Sequence, residues 1–284
     1  MILRRRRSAL YMPASNPRAI AKARSLACDV VILDLEDAVA PDEKAAARDR
    51  VVAEVGTGGG RYARAGGADQ RARYPMGRRR HRRLARSRRR CGARAQDLRR
   101  VDLAAVRAAL GTDGPPIWAM IETCGGVLEL PGIARAAAGS RLTALIAGTN
   151  DLAKELRCRP GVDRTPLIPA LMAIVTAARA AGLVALDGVC NALDDPARLA
   201  AEAEQGASLG YDGKTLIHPA QIAAANTAFG PTPDQLEWAR TVVAAFADGA
   251  TADKGAIRLD GQMVERLHLA GAQAMLAQAD QPAG

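Results

Sequence analysis

The sequence predicts a (β/α)8 barrel, a TIM barrel of parallel strands alternating with helices, followed by a C-terminal helical extension. The chain has 284 residues, close to the roughly 250 residues of a typical α/β barrel. Short apolar segments alternate with Ala-rich stretches, as in repeated βα units. Polar or acidic residues follow the apolar segments, where barrel enzymes carry their catalytic groups. We expect residues 1–230 to form the barrel and residues 231–284 the extension.

Six apolar segments are predicted to be strands. They occupy residues 9–13, 30–35, 117–121, 142–147, 183–187 and 213–217. The intervening segments begin near Pro and are rich in Ala, Leu and Arg. This pattern indicates helices over residues 17–26, 41–55, 166–181 and 196–205. A barrel needs two more strands, and the gap falls between Val39 and Ile117.

The bulk composition predicts a globular cytoplasmic protein. The chain is 49% hydrophobic and 25% charged, which is typical of a protein with a sizeable core. No segment approaches the roughly 20 apolar residues of a membrane span, and the first residues lack the apolar core of a signal peptide. The five cysteines are scattered and form no CxxC pair, so we expect neither disulfides nor a zinc site.

The basic charge is confined to one segment. Residues 61–94 contain 14 Arg, no Lys and one acidic residue, so they carry +13 and leave −3 for the rest of a chain whose total is +10. This segment suggests an alternative function, nucleic-acid binding by a basic protein. The affinity of such a protein for DNA would fall steeply with increasing salt concentration. A nucleic-acid-binding arm usually mixes Lys and aromatic residues with Arg, which this segment does not.

A shifted reading frame explains the Arg-rich text and the missing strands together. Met76 followed by Gly77 requires ATG-G, and one base later this contains TGG, a Trp codon. Where the code allows a choice, the shifted codons also give Arg-Ile-Asn over residues 68–71 and Val-Pro-Lys over residues 94–97. Residues 60–96 are therefore predicted to be frame-shifted. Made as written, the chain would lack two central strands, and we would expect it to misfold.

Several long blocks resemble the citrate lyase beta subunit-like and malyl-CoA lyase family, of HpcH/HpaI aldolase type. The blocks, in family order, are RSALYMPASNPRAIAKA, DVVILDLEDAVAPDEKAAAR, IWAMIETCGGV, IAGTNDLAKEL, LVALDGVCN and LGYDGKTLIHPAQI. Family strands reading Val-Arg-Val-Asn and Leu-Pro-Lys match the shifted text. The resemblance implies a magnesium-dependent C–C lyase that cleaves a citryl-, citramalyl- or malyl-CoA-like 3-hydroxyacyl thioester through an enolate. It also implies a homotrimer or hexamer. A thioesterase on the same scaffold and an inactive relative are the alternatives.

The resemblance assigns magnesium to Glu122 and Asp151, in the IET and GTND blocks. Magnesium binds through carboxylates and water, and it would offset charge on the substrate oxygens. Capping of the following helices is the alternative role for both side chains. The backbone N–H groups of Gly148, Thr149 and Asn150 open a helix and are expected to hold a substrate carboxylate.

Three further carboxylates are candidate catalytic residues. Glu36 and Asp37, in the DLED block, are expected to position metal-bound waters and a family arginine, or else to form a structural pair. That arginine has no counterpart as written, and its shifted codon lies near Asp69. The tail DGQMVERLHL resembles a segment whose Asp reaches into a neighbouring subunit as a general acid. Glu265 holds that place here, and its longer side chain changes the reach.

Coenzyme A is expected to contact residues after the first and last strands. Asn16, Arg18 and Lys22 are predicted to meet its phosphates, although a solvated helix face explains Arg18 and Lys22 equally. Lys214, in the GKTLIHP block, is expected near the thioester arm.

The remaining expectations concern Asp187 and two histidines. Asp187 is expected at the same barrel mouth as the candidate carboxylates Glu36, Glu122 and Asp151. His218 is predicted to be a hydrogen-bonded structural residue, and His268 to pack on a C-terminal helix.

The frame-shift account predicts that soluble, active protein lacks the Arg-rich residues. Its intact mass should differ from that of the written chain by the loss of many Arg, because a parallel barrel needs apolar strands on both faces. Mass spectrometry of the intact protein and of its tryptic and Glu-C peptides measures this. Peptides that carry the written residues 74–77, recovered from active protein, would refute the account.

Overall fold

Eight parallel strands close into a barrel, as the sequence predicts. The computed structural model describes residues 5–36, 38–57, 62–67, 91–95, 100–111, 115–248 and 253–280, with the backbone alone for residues 55–57, 62–67, 91–95 and 100–102. Arg6–Phe229 form one unit, and the chain from Gly230 onward forms a second unit that also includes Arg5.

Each strand pairs in parallel with the next, and the last returns to the first through a pairing of Lys214 with Ser8. The strands are β1 (Ser8–Pro13), β2 (Val30–Asp34), β3 (Tyr62–Gly67), β4 (Cys91–Ala95), β5 (Ile117–Ile121), β6 (Leu142–Ala147), β7 (Val184–Asp187) and β8 (Gly213–Leu216). All six predicted strands are present. The other two, β3 and β4, are formed by the written residues of the segment predicted to be frame-shifted. This corrects the expectation that the chain as written would lack two central strands. The arginine expected near Asp69 lies outside the described residues.

Nine α-helices of this unit are described. They are α1 (Pro17–Ala23), α2 (Lys44–Thr57), α3 (Arg100–Leu110), α4 (Cys124–Leu128), α5 (Leu130–Ser140), α6 (Thr149–Leu156), α7 (Ile168–Ala180), α8 (Pro196–Ser208) and α9 (Ile222–Ala228). The side chains of Asn16 and Asp195 cap α1 and α8, each of which starts at a Pro. Within the described residues, no helix has both the length and the apolar character that a membrane crossing requires.

The strands are apolar on both faces because helices cover one face and the barrel interior encloses the other. Along β5, Ile117, Ala119 and Ile121 pack against the helices, while Trp118 fills the interior. The buried interior residues are Ala9, Val30, Ile32, Trp118, Ala144, Ile146 and Leu186. Because successive residues alternate between the faces, the same alternation decides which side chains at the strand ends reach the mouth.

The C-terminal unit contains a β-hairpin as well as helices. It comprises α10 (Pro233–Ala247), β9 (Ala256–Leu259), β10 (Gln262–Glu265) and α11 (Arg266–Ala279), around a core of Ala239, Val242, Phe246, Ile257, Val264 and Ala272. The helical extension predicted from the sequence omits the hairpin. Asp260 and Gly261 turn between its strands, both with positive φ, and an Asp-Gly pair is a strong hairpin signal.

Candidate active site

The centre of the candidate site is the point where β5 and β6 end side by side. Glu122 directly follows β5 and is 1% exposed. Gly148 directly follows β6, and its N–H donates to the Ile121 carbonyl (2.9 Å). A Cβ atom on Gly148 would collide with the Cβ of Glu122 and lie 3.1 Å from Cγ of Met120. Glycine is therefore required at residue 148 for β5 and β6 to end this close together, with the buried Glu122 side chain between them.

Helix α6 starts at this point and carries the second candidate metal ligand. Gly148 is its N-cap residue, and Asp151 lies in its first turn. The buried Leu152 and its N–H bond to the Gly148 carbonyl (3.1 Å) fix the start of the helix. The first N–H groups of a helix have no acceptor within it, and the helix dipole adds positive charge there. Residues 148–150 therefore suit a small carboxylate.

The donor set at this point fits magnesium. Glu122 and Asp151 supply two carboxylates from adjacent strand ends, and magnesium typically uses one or two carboxylates and completes its shell with water and substrate oxygens. Within the described part of the chain, no group of three or more His, Cys, Asp or Glu side chains is arranged to hold a metal ion. A magnesium ion held by two carboxylates would keep coordination positions for water and substrate.

Glu36 lies at the same end of the barrel as Glu122, three strands away around the ring. It is half-buried, its N–H donates to Oδ1 of Asp34 (2.7 Å), and its carbonyl accepts from Nζ of Lys44 (3.2 Å). Asp37 lies outside the described residues.

Asp34 was not predicted as a site residue. It continues the alternation of Val30 and Ile32, which face the barrel interior from β2. This alternation along the strand is the sequence signal that would have pointed to Asp34.

The three residues expected to meet coenzyme A after β1 are all exposed. Asn16 caps α1 by accepting from the N–H of Ala19 (3.0 Å), so part of its side chain is committed to the helix. Arg18 and Lys22 are four residues apart on α1 and share one face of it. This arrangement fits both a phosphate contact and a solvated helix face.

Lys214 does not lie where a contact with coenzyme A requires it. Its side chain is completely buried and faces the helix layer, where Nζ contacts Oδ2 of Asp187 (2.9 Å) and Oε2 of Glu202 (3.7 Å). We therefore correct the expectation that Lys214 binds the cofactor. An ammonium group enclosed by two carboxylates has no surface to offer a phosphate or thioester.

The Asp187 carboxylate likewise points away from the mouth, which corrects the expectation that it joins the other carboxylates there. Although Asp187 is the last residue of β7, its side chain accepts two bonds from Nη1 of Arg164 (2.8 and 2.9 Å) and one from Nζ of Lys214. Burial raises the pKa of the Asp187 carboxyl, but the two cations outweigh burial and hold that pKa below its ordinary value. Asp187 is thus a charged structural residue.

The two histidines and Glu265 occupy turn and cap positions. Nδ1 of His218 accepts from the N–H of Ala220 (3.2 Å), which fits the predicted structural role. Nδ1 of His268 accepts from the N–H of Glu265 (2.8 Å) at the start of α11. His268 is exposed, so it caps this helix rather than packing on it as predicted. Glu265 is half-buried in the C-terminal unit.

The fold is an α/β barrel that carries Glu122, Asp151 and the start of α6 at the C-terminal ends of its strands, where barrel enzymes keep their catalytic groups. The family model "HpcH/HpaI aldolase/citrate lyase" matches residues 7–57 and 78–219. The chain belongs to this family. The unmatched stretch of residues 58–77 falls largely within the Arg-rich segment.

Relatives of known name cover nearly the whole chain. A (3S)-malyl-CoA thioesterase of Cereibacter sphaeroides is 44% identical over 278 residues, 96% of this chain and 94% of the relative. An L-malyl-CoA/beta-methylmalyl-CoA lyase of the same species is 31% identical, over 96% of this chain and 94% of the relative. The crystal structure of CitE from Mycobacterium tuberculosis in complex with magnesium, acetoacetate and coenzyme A superposes with a TM-score of 0.75 and 29% identity, covering 96% of this chain and 98% of that one.

Replacing Asp187 with Asn should destabilise the protein by about 3–5 kcal/mol at pH 7, because it removes the carboxylate shared by two buried cations, Lys214 and Arg164, and leaves their charge only partly offset by Glu202. The folded-state pKa of Asp187 is lowered, so its contribution is present above the unfolded pKa of about 3.9 and is lost as the pH falls through the folded value. Urea unfolding measures this at pH 7 and near pH 3. The difference in the free energy of unfolding between wild type and Asp187→Asn should be smaller at pH 3 than at pH 7.

The matched control for this substitution is Glu54→Gln, which breaks the exposed ion pair with Arg24. Exposed pairs contribute only about 0–1 kcal/mol. Equal losses from Glu54→Gln and Asp187→Asn at pH 7 would contradict a structural role for the buried cluster.

Proposed function

We propose that this protein is a magnesium-dependent enzyme that acts on the coenzyme A thioester of a malyl-type 3-hydroxy acid. The observation that carries the proposal is the buried Glu122 carboxyl group, packed against Gly148 at the start of α6 with Asp151 in the first turn. This arrangement combines a hard-cation site with a carboxylate-binding site. A malyl thioester brings a hydroxyl group and a free carboxylate to these two sites together.

Glu122 and Asp151 would hold the magnesium ion, which when bound supplies a Lewis acid that stabilises negative charge on substrate oxygens. The backbone N–H groups of Thr149 and Asn150 would bind the free carboxylate of the acyl group and orient it. The burial of Glu122 excludes water from its side of the site, so electrostatic contacts there are stronger than in bulk solvent. These residues bind and orient the substrate for either of two reactions.

Hydrolysis of the thioester is the first candidate reaction. A water oxygen forms a bond to the thioester carbonyl carbon, the C–S bond breaks, and the products are the free hydroxy acid and the thiol of coenzyme A, with a proton released. The 44% identity to the (3S)-malyl-CoA thioesterase over 96% of this chain supports it.

Cleavage of a C–C bond is the second candidate, supported by the 31% identity to the malyl-CoA lyase and by the family as a whole. The hydroxyl group loses its proton and becomes the carbonyl of a 2-oxo acid. The electron pair of the broken bond moves to the thioester as an enolate, which then takes a proton at carbon to give the shorter acyl thioester. Stabilisation of the enolate oxygen is the main demand of this route.

Other residues would support either reaction. Glu36, and Asp37 next to it in the sequence, would order water and substrate, and Glu265 of a neighbouring copy would act as a general acid. Asn16, Arg18 and Lys22 would contact the coenzyme A phosphates from α1. A homotrimer or hexamer and a cytoplasmic location remain predictions.

Product analysis distinguishes the two reactions. With malyl-CoA and magnesium, hydrolysis should yield malate and free coenzyme A in equal amounts, whereas cleavage should yield glyoxylate and acetyl-CoA. Chromatography of acyl-CoA species together with a thiol assay measures this. Activity that survives chelation of divalent cations, or the absence of both product pairs, would rule the proposed function out.

Asp151→Ala should abolish turnover and weaken magnesium binding at least tenfold, because it removes one of two proposed protein ligands. Titration calorimetry with magnesium alone reports binding without relying on activity. Glu155→Ala, on the same helix one turn later, is the matched control. Unchanged magnesium affinity in Asp151→Ala would remove Asp151 from the metal site.

A further inference from the structure

Two asparagine side chains join the candidate carboxylate site to the next loop of the barrel mouth. Nδ2 of Asn191 donates to Oδ1 of Asn150 (2.7 Å), and Nδ2 of Asn150 donates to Oδ1 of Asn191 (3.3 Å). Asn150 is the second residue of α6, and Asn191 lies in the loop between β7 and α8. The reciprocal pair connects residues 41 apart in sequence.

The loop that carries Asn191 is itself held by a buried glutamine. Nε2 of Gln221 donates to the carbonyl of Cys190 (2.9 Å), and its Oε1 accepts from the N–H of Ile217 (2.9 Å). Gln221 is 2% exposed and lies in the 3₁₀ turn after β8. Satisfied hydrogen bonds in a buried setting hold a side chain firmly, because breaking one leaves a desolvated polar group. Gln221 thus fixes Cys190, the residue before Asn191.

The start of α6 is packed tightly on its other side as well. The Thr149 side chain is buried against Gly188, where a Cβ atom would collide with Oγ1 of Thr149. The N–H of Gly188 donates to Oδ1 of Asp187 (2.8 Å), so the buried ion cluster anchors this contact. Packing of Thr149 on Gly188 therefore limits how closely the start of α6 approaches the end of β7.

We propose that Asn191 is a positioning residue for the first turn of α6, acting through Asn150 and anchored by Gln221. It orients the N–H groups of Thr149 and Asn150 and the carboxylate of Asp151. This role rests on the proposed function, because it matters only if substrate and metal bind at that turn. A positioning residue acts through another residue, so a variant should loosen the turn without removing any proposed ligand.

The test compares Asn191→Ala with wild type by hydrogen exchange, magnesium titration and steady-state kinetics with malyl-CoA. Loss of the two reciprocal hydrogen bonds is expected to speed exchange at Gly148 and Leu152, hydrogen-bonded amides at the start of α6, about fivefold. Magnesium affinity should fall by a similar factor. KM should rise more than kcat falls, because the carboxylate-binding turn is misoriented in the free enzyme.

The matched control is Asn226→Ala. Asn226 makes two comparable side-chain bonds, accepting from Oγ of Ser8 (2.7 Å) and donating to the carbonyl of Ala27 (2.8 Å), at the opposite end of the barrel. This variant should lose stability without changing exchange at Gly148 or Leu152 relative to other peptides. Equal exchange at those two amides in Asn191→Ala and Asn226→Ala would overturn the positioning role.

A double-mutant cycle tests whether Asn191 acts through Asn150. If Asn191 acts through Asn150, then Asn150→Ala, Asn191→Ala and the double variant should show nearly the same magnesium affinity and exchange. Additive effects would overturn the proposal. Turnover by wild type tests the proposed function, whereas exchange at α6 tests the positioning role, so each can fail without the other.

Discussion

The structure depends on the closure of the parallel barrel at β8. Lys214 pairs in register with Ser8 of β1 on one side and with Asp187 of β7 on the other, and its N–H donates to the Arg7 carbonyl (3.0 Å). A Cβ atom on the preceding residue, Gly213, would collide with the Arg6 carbonyl oxygen, so the two backbones lie too close together for a side chain at this position. A lysine buried at such a seam is tolerated because the Asp187 carboxylate pairs with it and the Glu202 carboxylate lies 3.7 Å away. Closure in turn brings all eight carboxyl ends of the strands to one mouth.

The candidate site is a local consequence of that ring. Parallel strands that pair side by side place the residues after their ends next to each other. Glu122 after β5 and Gly148 after β6 are therefore in contact because β5 and β6 are paired. The absence of a side chain at Gly148 lets the backbone at the start of α6 pack directly against Cα and Cβ of Glu122. Two opposed electrostatic elements, a carboxylate and a positive helix end, are thereby built from neighbouring residues.

The sequence was sufficient to predict the positions of six strands, but not to predict which way every side chain on them faces. Apolar segments bounded by Pro and polar clusters predicted six strands within a residue or two. Both faces of these strands are covered, so apolar content could not reveal that Asp187 and Lys214 face the helices rather than the mouth. The partners that decide this, Arg164 and Glu202, come from distant segments. The bond between Asn150 and Asn191 is equally long-range, whereas the hairpin at Asp260 carried a local signal.

The proposed substrate adds a constraint on the charges at the mouth. Glu122 and Asp151 are both acidic, and a malyl group would bring a further carboxylate to the turn that carries Asp151. Like charges brought within a few ångströms in a partly dehydrated site repel one another strongly. The α6 dipole offsets only about half a charge, so the residues alone favour the anion weakly. Binding of a divalent cation by Glu122 and Asp151 should therefore strengthen substrate binding, and by reciprocity the substrate should strengthen cation binding by the same factor. This coupling requires the first turn of α6 to hold Asp151 and the N–H groups of residues 149 and 150 in one fixed arrangement, so that the cation and the substrate carboxylate bind side by side.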